Sequence, residues 1–204
     1  MGMNPNMPGP IFTIGHSSHS IELFLDLLND HGIEAVVDTR SHPKSKFAPQ
    51  YNSEALGRSL RENGIAYLFL GKELGGRPEG THFYDTDGRV LYARVAESEL
   101  FRKGLDRLQE HMQRFRLTIL CSEEDPSVCH RRLLITRVLR EKGVAVMHIR
   151  ASGALESEEE ILASEAVKAA QDPQLTLFEH SPVSEWKSIP SVLPKRQQNS
   201  SSAS

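Results

Sequence analysis

Two cysteines, Cys121 and Cys129, frame a stretch rich in side chains that can move protons or hold a metal, among them Glu123, His130 and Arg131. Pro126 and Ser127 are residue types that open helices, so the sequence predicts Cys129 in a first helical turn. There the helix dipole and adjacent cations would lower the thiol pKa and make Cys129 a nucleophile or acceptor. His130 would act as base or donor. Neighbours on a helix do not face each other, so His16 is an alternative partner for the thiol. The plain structural reading of Cys129 is a buried, inert thiol. A metal ion is a further option, with Cys121, Cys129, His130 and His16 as ligands, although the seven-residue gap between the cysteines is not a zinc-knuckle spacing. No other cofactor is expected. Asp38 and Glu123 offer a different chemistry, as general acid and base or as anchors for a sugar hydroxyl.

The elements that must position these groups alternate. Apolar, β-rich runs at 11–14, 35–37, 65–70, 117–120 and 144–149 are separated by segments with helical spacing, such as Ile21, Phe24, Leu25 and Leu28. Ser20 and Ser53 are candidate N-caps, and Gly32, Gly64 and Gly143 are candidate stops. A helix is expected from about 127 to 142. The pattern predicts an α/β fold: a mainly parallel sheet with helices on both faces, a Rossmann-like three-layer arrangement, plus a flexible C-terminal tail. The organisation is read as a flexible N-terminus at 1–10, a core domain at 11–150, an acidic helical segment at 151–172 and a largely disordered tail at 173–204.

Parallel strands point the same way, and ligands bind outside their carboxyl ends. His16, Asp38, Arg40, Gly71, Cys121 and Glu123 each follow a predicted strand, so they should share one rim. Ser17, Arg40, Ser41, Gly71, Gly75, Gly76 and Arg131 are the candidate substrate-binding residues. Lys44, Lys46, Lys72 and Arg77 would make the rim locally basic, and the serines before the first helix suit an anion. The bland alternative is that such residues merely cap strands and helices.

The formal net charge of -3 gives no global argument for a duplex-binding protein. No apolar run approaches the roughly 20 residues needed to span a bilayer, so no membrane partner is expected. The first ten residues lack a basic region and an apolar stretch, unlike a secretory signal. Two cysteines outside any disulfide pattern suit a reducing, cytoplasmic setting.

The segments Thr13-Ile14-Gly15-His16-Ser17, Asp38-Thr39-Arg40-Ser41-His42-Pro43, Leu70 to Gly76, and Cys121-Ser122-Glu123 through Cys129-His130-Arg131 together resemble the family catalogued as domain of unknown function 488. The resemblance runs over about residues 11 to 150, with Thr39 where the family pattern usually has Val. It implies an α/β fold and a polar site built from these motifs, and it implies no particular reaction. Cys129-His130-Arg131 is also similar to part of the acceptor motif of alkylguanine DNA alkyltransferases, with Val128 in place of the preceding Pro.

Beyond the core, Gln174-Leu175-Thr176-Leu177-Phe178 resembles the short peptide by which bacterial replication and repair proteins bind the sliding clamp. Gln174 would hydrogen-bond while Leu175, Leu177 and Phe178 fill an apolar pocket. The alternative is that these apolar residues fold back onto the core. Tethering raises the local concentration near DNA, so the core need not be strongly basic. The expected function is therefore a nucleic-acid-processing or DNA-repair enzyme recruited by the clamp, with DNA or a nucleotide-like ligand at the rim. The alternatives are an enzyme acting on a small phosphorylated or nucleotide substrate and a non-catalytic binding module.

Overall fold

In a computed structural model, residues 9–171 and 186–192 are described. The chain opens with β1 (Ile11–Gly15), α1 (Ile21–Asp30), β2 (Ala35–Asp38), α2 (Ser53–Glu62) and β3 (Ala66–Phe69). A one-turn α3 (Gly71–Leu74) follows, then α4 (Tyr92–Glu97), α5 (Glu99–Met112) and β4 (Leu117–Cys121). Next comes a π-type segment, Arg131–Thr136, that runs into α6 (Arg137–Glu141). β5 (Val146–Ile149), β6 (Leu155–Ser157) and α7 (Glu158–Gln171) complete the order.

The sheet runs β3-β2-β4-β1-β5-β6, parallel except for β6. Right-handed crossovers dictate where the helices go. The β1-to-β2 and β2-to-β3 connections move one way along the sheet, and those into β4 and β5 move the other way. Alternation within each strand matches. Phe12, Ile14, Val36 and Leu120 pack with Phe24, Leu28, Leu56 and Leu60 from α1 and α2. Ile11, Val37, Leu117 and Ile119 pack with Tyr92, Val95, Phe101, Leu105 and Leu139 on the opposite face. The result is the three-layer arrangement expected. Each fully buried leucine or phenylalanine here contributes roughly 1.5–3 kcal/mol.

Local signals explain the boundaries. The Ser20 side chain accepts from the Leu23 N–H, capping α1, and Gly32 takes the positive φ that ends it. Asn52, and not Ser53, occupies the N-cap position of α2. The acidic segment is more than one exposed helix. β6 first adds an antiparallel edge to β5, and α7 then buries Glu158 and Ile161. Glu158 meets Arg132 and His148, and His148 meets Thr13, so a buried polar chain ties α7 to the core.

Part of the stretch read as tail returns to the core. The Trp186 indole donates to the Leu133 carbonyl and lies under the Arg137 guanidinium, and the backbone pairs Lys187 with Leu91. Gln174–Phe178 lies outside the described residues. Among the described residues, no helix is long and apolar enough to cross a membrane.

Candidate functional site at the carboxyl edge of the sheet

β1, β2 and β4 are adjacent and parallel, so their ends deliver His16, Asp38 and Cys121 to one edge. Two separate clusters form there.

The first is a closed network around Asp38 and Arg40. Asp38 is fully buried. Its Oδ1 accepts from the Arg40 backbone N–H and Nε, and its Oδ2 accepts from Arg40 Nη2 and the Tyr67 hydroxyl. Arg40 Nη2 also donates to the Tyr51 carbonyl, and Nη1 donates to His16 Nε2 at 3.1 Å. His16 therefore carries its proton on Nδ1, which donates to the Ser17 carbonyl, and its ring stacks on Tyr51. Burial holds the His16 pKa at about 4, so the ring is neutral at pH 7. With both carboxylate oxygens saturated and His16 engaged on both nitrogens, neither residue is free for acid–base work. His16 is also not the partner of Cys129.

The second cluster joins Cys121, Glu123, Cys129 and His130, whose ligand-type atoms all lie within 4.8 Å of one another. Glu123 Oε2 accepts from the Cys121 thiol at 2.8 Å and from the Cys129 thiol at 3.1 Å. His130 Nδ1 lies 3.5 Å from the Cys121 Sγ and 4.0 Å from the Cys129 Sγ. Its Nε2 lies 3.2 Å from the Thr39 carbonyl, which can only accept, so Nε2 bears a proton and Nδ1 is the nitrogen turned to the sulfurs. Burial would raise the Glu123 carboxyl, but the two thiols, its own backbone N–H and His130 outweigh that and hold its pKa at about 2.

The expected first-turn thiolate at Cys129 is not found. Pro126–Val128 is a short 3-10 turn capped by Asp125, and Cys129 is extended at its end (φ -104, ψ 140). Burial, and then the neighbouring Cys121, push the Cys129 thiol well above its usual value. The thiol faces a carboxylate and another sulfur, with no cation bonded to it. Arg131, expected at the substrate, is buried (1 % exposed) and structural. Its guanidinium donates to the Glu123 and Glu124 carbonyls and to Thr13 Oγ1, fixing the loop that carries Glu123.

Close approach explains two glycines. A Cβ on Gly15 would fall 1.7 Å from the Glu123 carbonyl oxygen, and one on Gly76 would fall 2.8 Å from the His130 ring. Gly71 and Gly75 are also buried. Gly75 packs against Ser41, whose hydroxyl accepts from the Arg77 N–H. Ser17 adopts a left-handed φ of 47° and borders a different, shallower hollow.

Over the second cluster opens a pocket of about 460 Å³, a size common for ligand sites. Cys121, Glu123 and His130 line it, and Arg40, Lys44 and Arg77 bring positive charge to its walls. Lys46 and Lys72 do not line it. The sequence reading had no signal for Tyr92 or for the returning segment Ser188–Val192, which also border the pocket.

Fold and site together define a three-layer α/β protein whose sheet edge presents a thiol, an imidazole and a carboxylate to a basic pocket, with a second thiol buried behind them. The chain belongs to the family described as Domain of unknown function DUF488, whose model matches residues 20–138. That span lies within the 11–150 expected from the motifs, and it includes every residue of the thiol cluster. No curated protein and no solved structure matches the chain.

Proposed function

We propose that this chain is a nucleic-acid-processing enzyme of the DNA-repair type that holds a phosphate-bearing strand at the pocket over Glu123 and His130. The observation that carries the reading is the loop after β2. Phe47 is 100 % exposed and sits beside Lys44 and Lys46, and Lys44 also lines the pocket. An exposed aromatic set between cations is how single strands are held without sequence preference: bases stack and phosphates pair. Arg40 uses four of its five N–H donors internally, which leaves one Nη1 hydrogen at the pocket wall. Glu123 and His130 are the groups placed to move protons there. Gln174–Phe178 would bring the enzyme to DNA through the sliding clamp.

Fluorescence anisotropy with a short single-stranded oligonucleotide tests this. Phe47→Ala should weaken binding by about 1–3 kcal/mol per stacked base. Lys44→Ala/Arg77→Ala should weaken it and reduce the salt slope by about 2. Binding that ignores all three changes would overturn the reading. Loss of clamp binding in Leu177→Ala/Phe178→Ala tests recruitment separately. The pocket volume favours a second reading, an enzyme on a single nucleotide or small phosphorylated substrate. A mononucleotide that binds as tightly as the oligonucleotide, with Phe47→Ala silent, would select it.

A further inference from the structure

We infer that Cys121, Cys129 and His130 bind a divalent ion of the zinc class, with Glu123 as a displaceable fourth ligand on the pocket side. The inference stands on the side-chain cluster alone and does not rest on the nucleic-acid reading.

Thiolate sulfur and imidazole nitrogen are the donors that zinc prefers, and four of them or their carboxylate substitutes complete a tetrahedron. Bond lengths of about 2.0–2.3 Å in such a site put neighbouring ligand atoms roughly 3.3–3.8 Å apart. The Cys121 sulfur-to-Nδ1 separation of 3.5 Å falls on that scale, and the 4.0 Å from Cys129 is slightly longer. The sulfur-to-Oε2 separations of 2.8 and 3.1 Å are shorter, as thiol-to-carboxylate hydrogen bonds require. All four ligand atoms lie within 4.8 Å of one another, and Glu123 must draw back from both sulfurs when the protons leave.

The outer shell supports the same assignment. A metal-binding histidine commonly donates its second ring N–H to a carbonyl, which sets the tautomer. His130 does this to Thr39, leaving Nδ1 free to ligate. Cys121 ends β4, in register with Gly15, so the sheet fixes its backbone. The Cys129 N–H is held by the Pro126 carbonyl at 3.1 Å, and Arg131 pins the carbonyls of Glu123 and Glu124. Gly76 leaves room for the His130 ring. Cys129 is buried, whereas Cys121, Glu123 and His130 reach the pocket wall. A site with three fixed ligands and one exchangeable position facing a pocket is the catalytic form of a zinc site, in contrast to the closed structural form.

Binding balances as one divalent ion plus two thiols giving one ion bound by two thiolates and two released protons. Glu123 ligates as its carboxylate and His130 through a neutral Nδ1, so a proton held beforehand on either leaves as well.

The test is cobalt titration of the full chain, stripped with chelator and kept reduced. The wild type should take up one ion per chain, develop a thiolate-to-cobalt charge-transfer band and release at least two protons per ion. Zinc should displace the cobalt. The chain has only two cysteines, so the band on the wild type identifies Cys121 and Cys129 even if their variants do not fold. Cys129→Ser should weaken uptake by well over tenfold, and Glu123→Gln by about tenfold or less with the band retained. Absence of an equimolar band in the wild type would overturn the site. So would a band that survives Cys121→Ser/Cys129→Ser. Loss of all uptake in a folded Glu123→Gln would overturn the displaceable role of that carboxylate.

Discussion

The two clusters at the sheet edge are built from similar residue types and behave in opposite ways. Around Asp38, a carboxylate meets a guanidinium, a phenol and a backbone N–H, all strong donors, and every lone pair in use has a partner. Around Glu123, the side-chain donors to the carboxylate are two thiols, which are weak donors, and the nearby imidazole turns its Nδ1 inward. Charge is balanced internally in the first cluster. In the second, two sulfurs, a carboxylate oxygen and an imidazole nitrogen converge within 4.8 Å of one another. The comparison separates a residue that holds the edge together from one that is kept available there. Position at a strand end does not distinguish the two; the supply of strong donors does.

The two carboxylates should differ most when each is removed, starting with Asp38. Asp38→Ala leaves Arg40 buried without its carboxylate, which should cost about 3–5 kcal/mol of stability in urea denaturation. The equivalent change in the other cluster, Glu123→Ala, removes two thiol hydrogen bonds and strands no buried guanidinium, so it should cost far less. Equal losses would show that the two carboxylates do the same work.

Next in size is the pH response of the first cluster. His16 has a folded pKa of about 4 against 6.5 unfolded. The unfolded chain therefore takes up a proton at this site first as pH falls. Its stabilisation is complete above pH 6.5 and is lost progressively as pH drops toward 4, by about 3 kcal/mol. His16→Gln removes the titrating group, so its stability should fall less steeply than the wild type's over that window. A wild type and variant with parallel pH profiles would remove His16 from the linkage.

Trp186 probes the opposite side of the edge. Its half-buried ring anchors the segment that brings Ser188 and Val192 to the pocket. Trp186→Ala should cost about 2 kcal/mol, below the roughly 3–5 kcal/mol of a fully buried tryptophan. It should loosen binding at the pocket while leaving the pH response of His16 unchanged. A changed His16 response would mean that the two clusters are coupled.

Much of this edge was legible because parallel strands end alike. The apolar runs located β1, β2 and β4, and the residues after them had to meet. What the sequence did not reveal was which of those residues were already spent. That depends on Tyr51 and Tyr67, which come from other elements and leave no trace in the spacing of His16, Asp38 and Arg40. The helix start at Pro126 was misread for a related reason. A 3-10 turn and a first α-turn share their opening residues, and Cys129 becomes extended where Arg131 reaches back to the carbonyls of Glu123 and Glu124. β6 has only three residues, too few to show alternation, and Trp186 stood alone in a polar stretch. The zinc-type cluster was half visible. The sequence offers both cysteines and His130 as ligands with His16 as the fourth, whereas the fold brings Glu123 to that place.

The smallest expected effect is also the most selective. Gly76 belongs to neither cluster, yet a Cβ there would stand 2.8–3.1 Å from three atoms of the His130 side chain and must displace it. Gly76→Ala should cost about 1 kcal/mol or somewhat more, at the low end for overpacking, because the ring lies beside a pocket into which it can shift. The shift would carry Nδ1 away from the sulfurs and stretch the 3.2 Å contact from Nε2 to the Thr39 carbonyl. The three atoms nearest such a Cβ all belong to His130, none to the Asp38–Arg40–His16 network. The variant should therefore keep the wild-type pH profile while weakening cobalt uptake by roughly 10–100-fold, the usual range for a disturbed outer shell. A Gly76→Ala protein with normal cobalt affinity would mean that the orientation of His130 does not matter to the thiol cluster. The contrast between a closed network and an available one would then rest on the sulfurs and Glu123 alone.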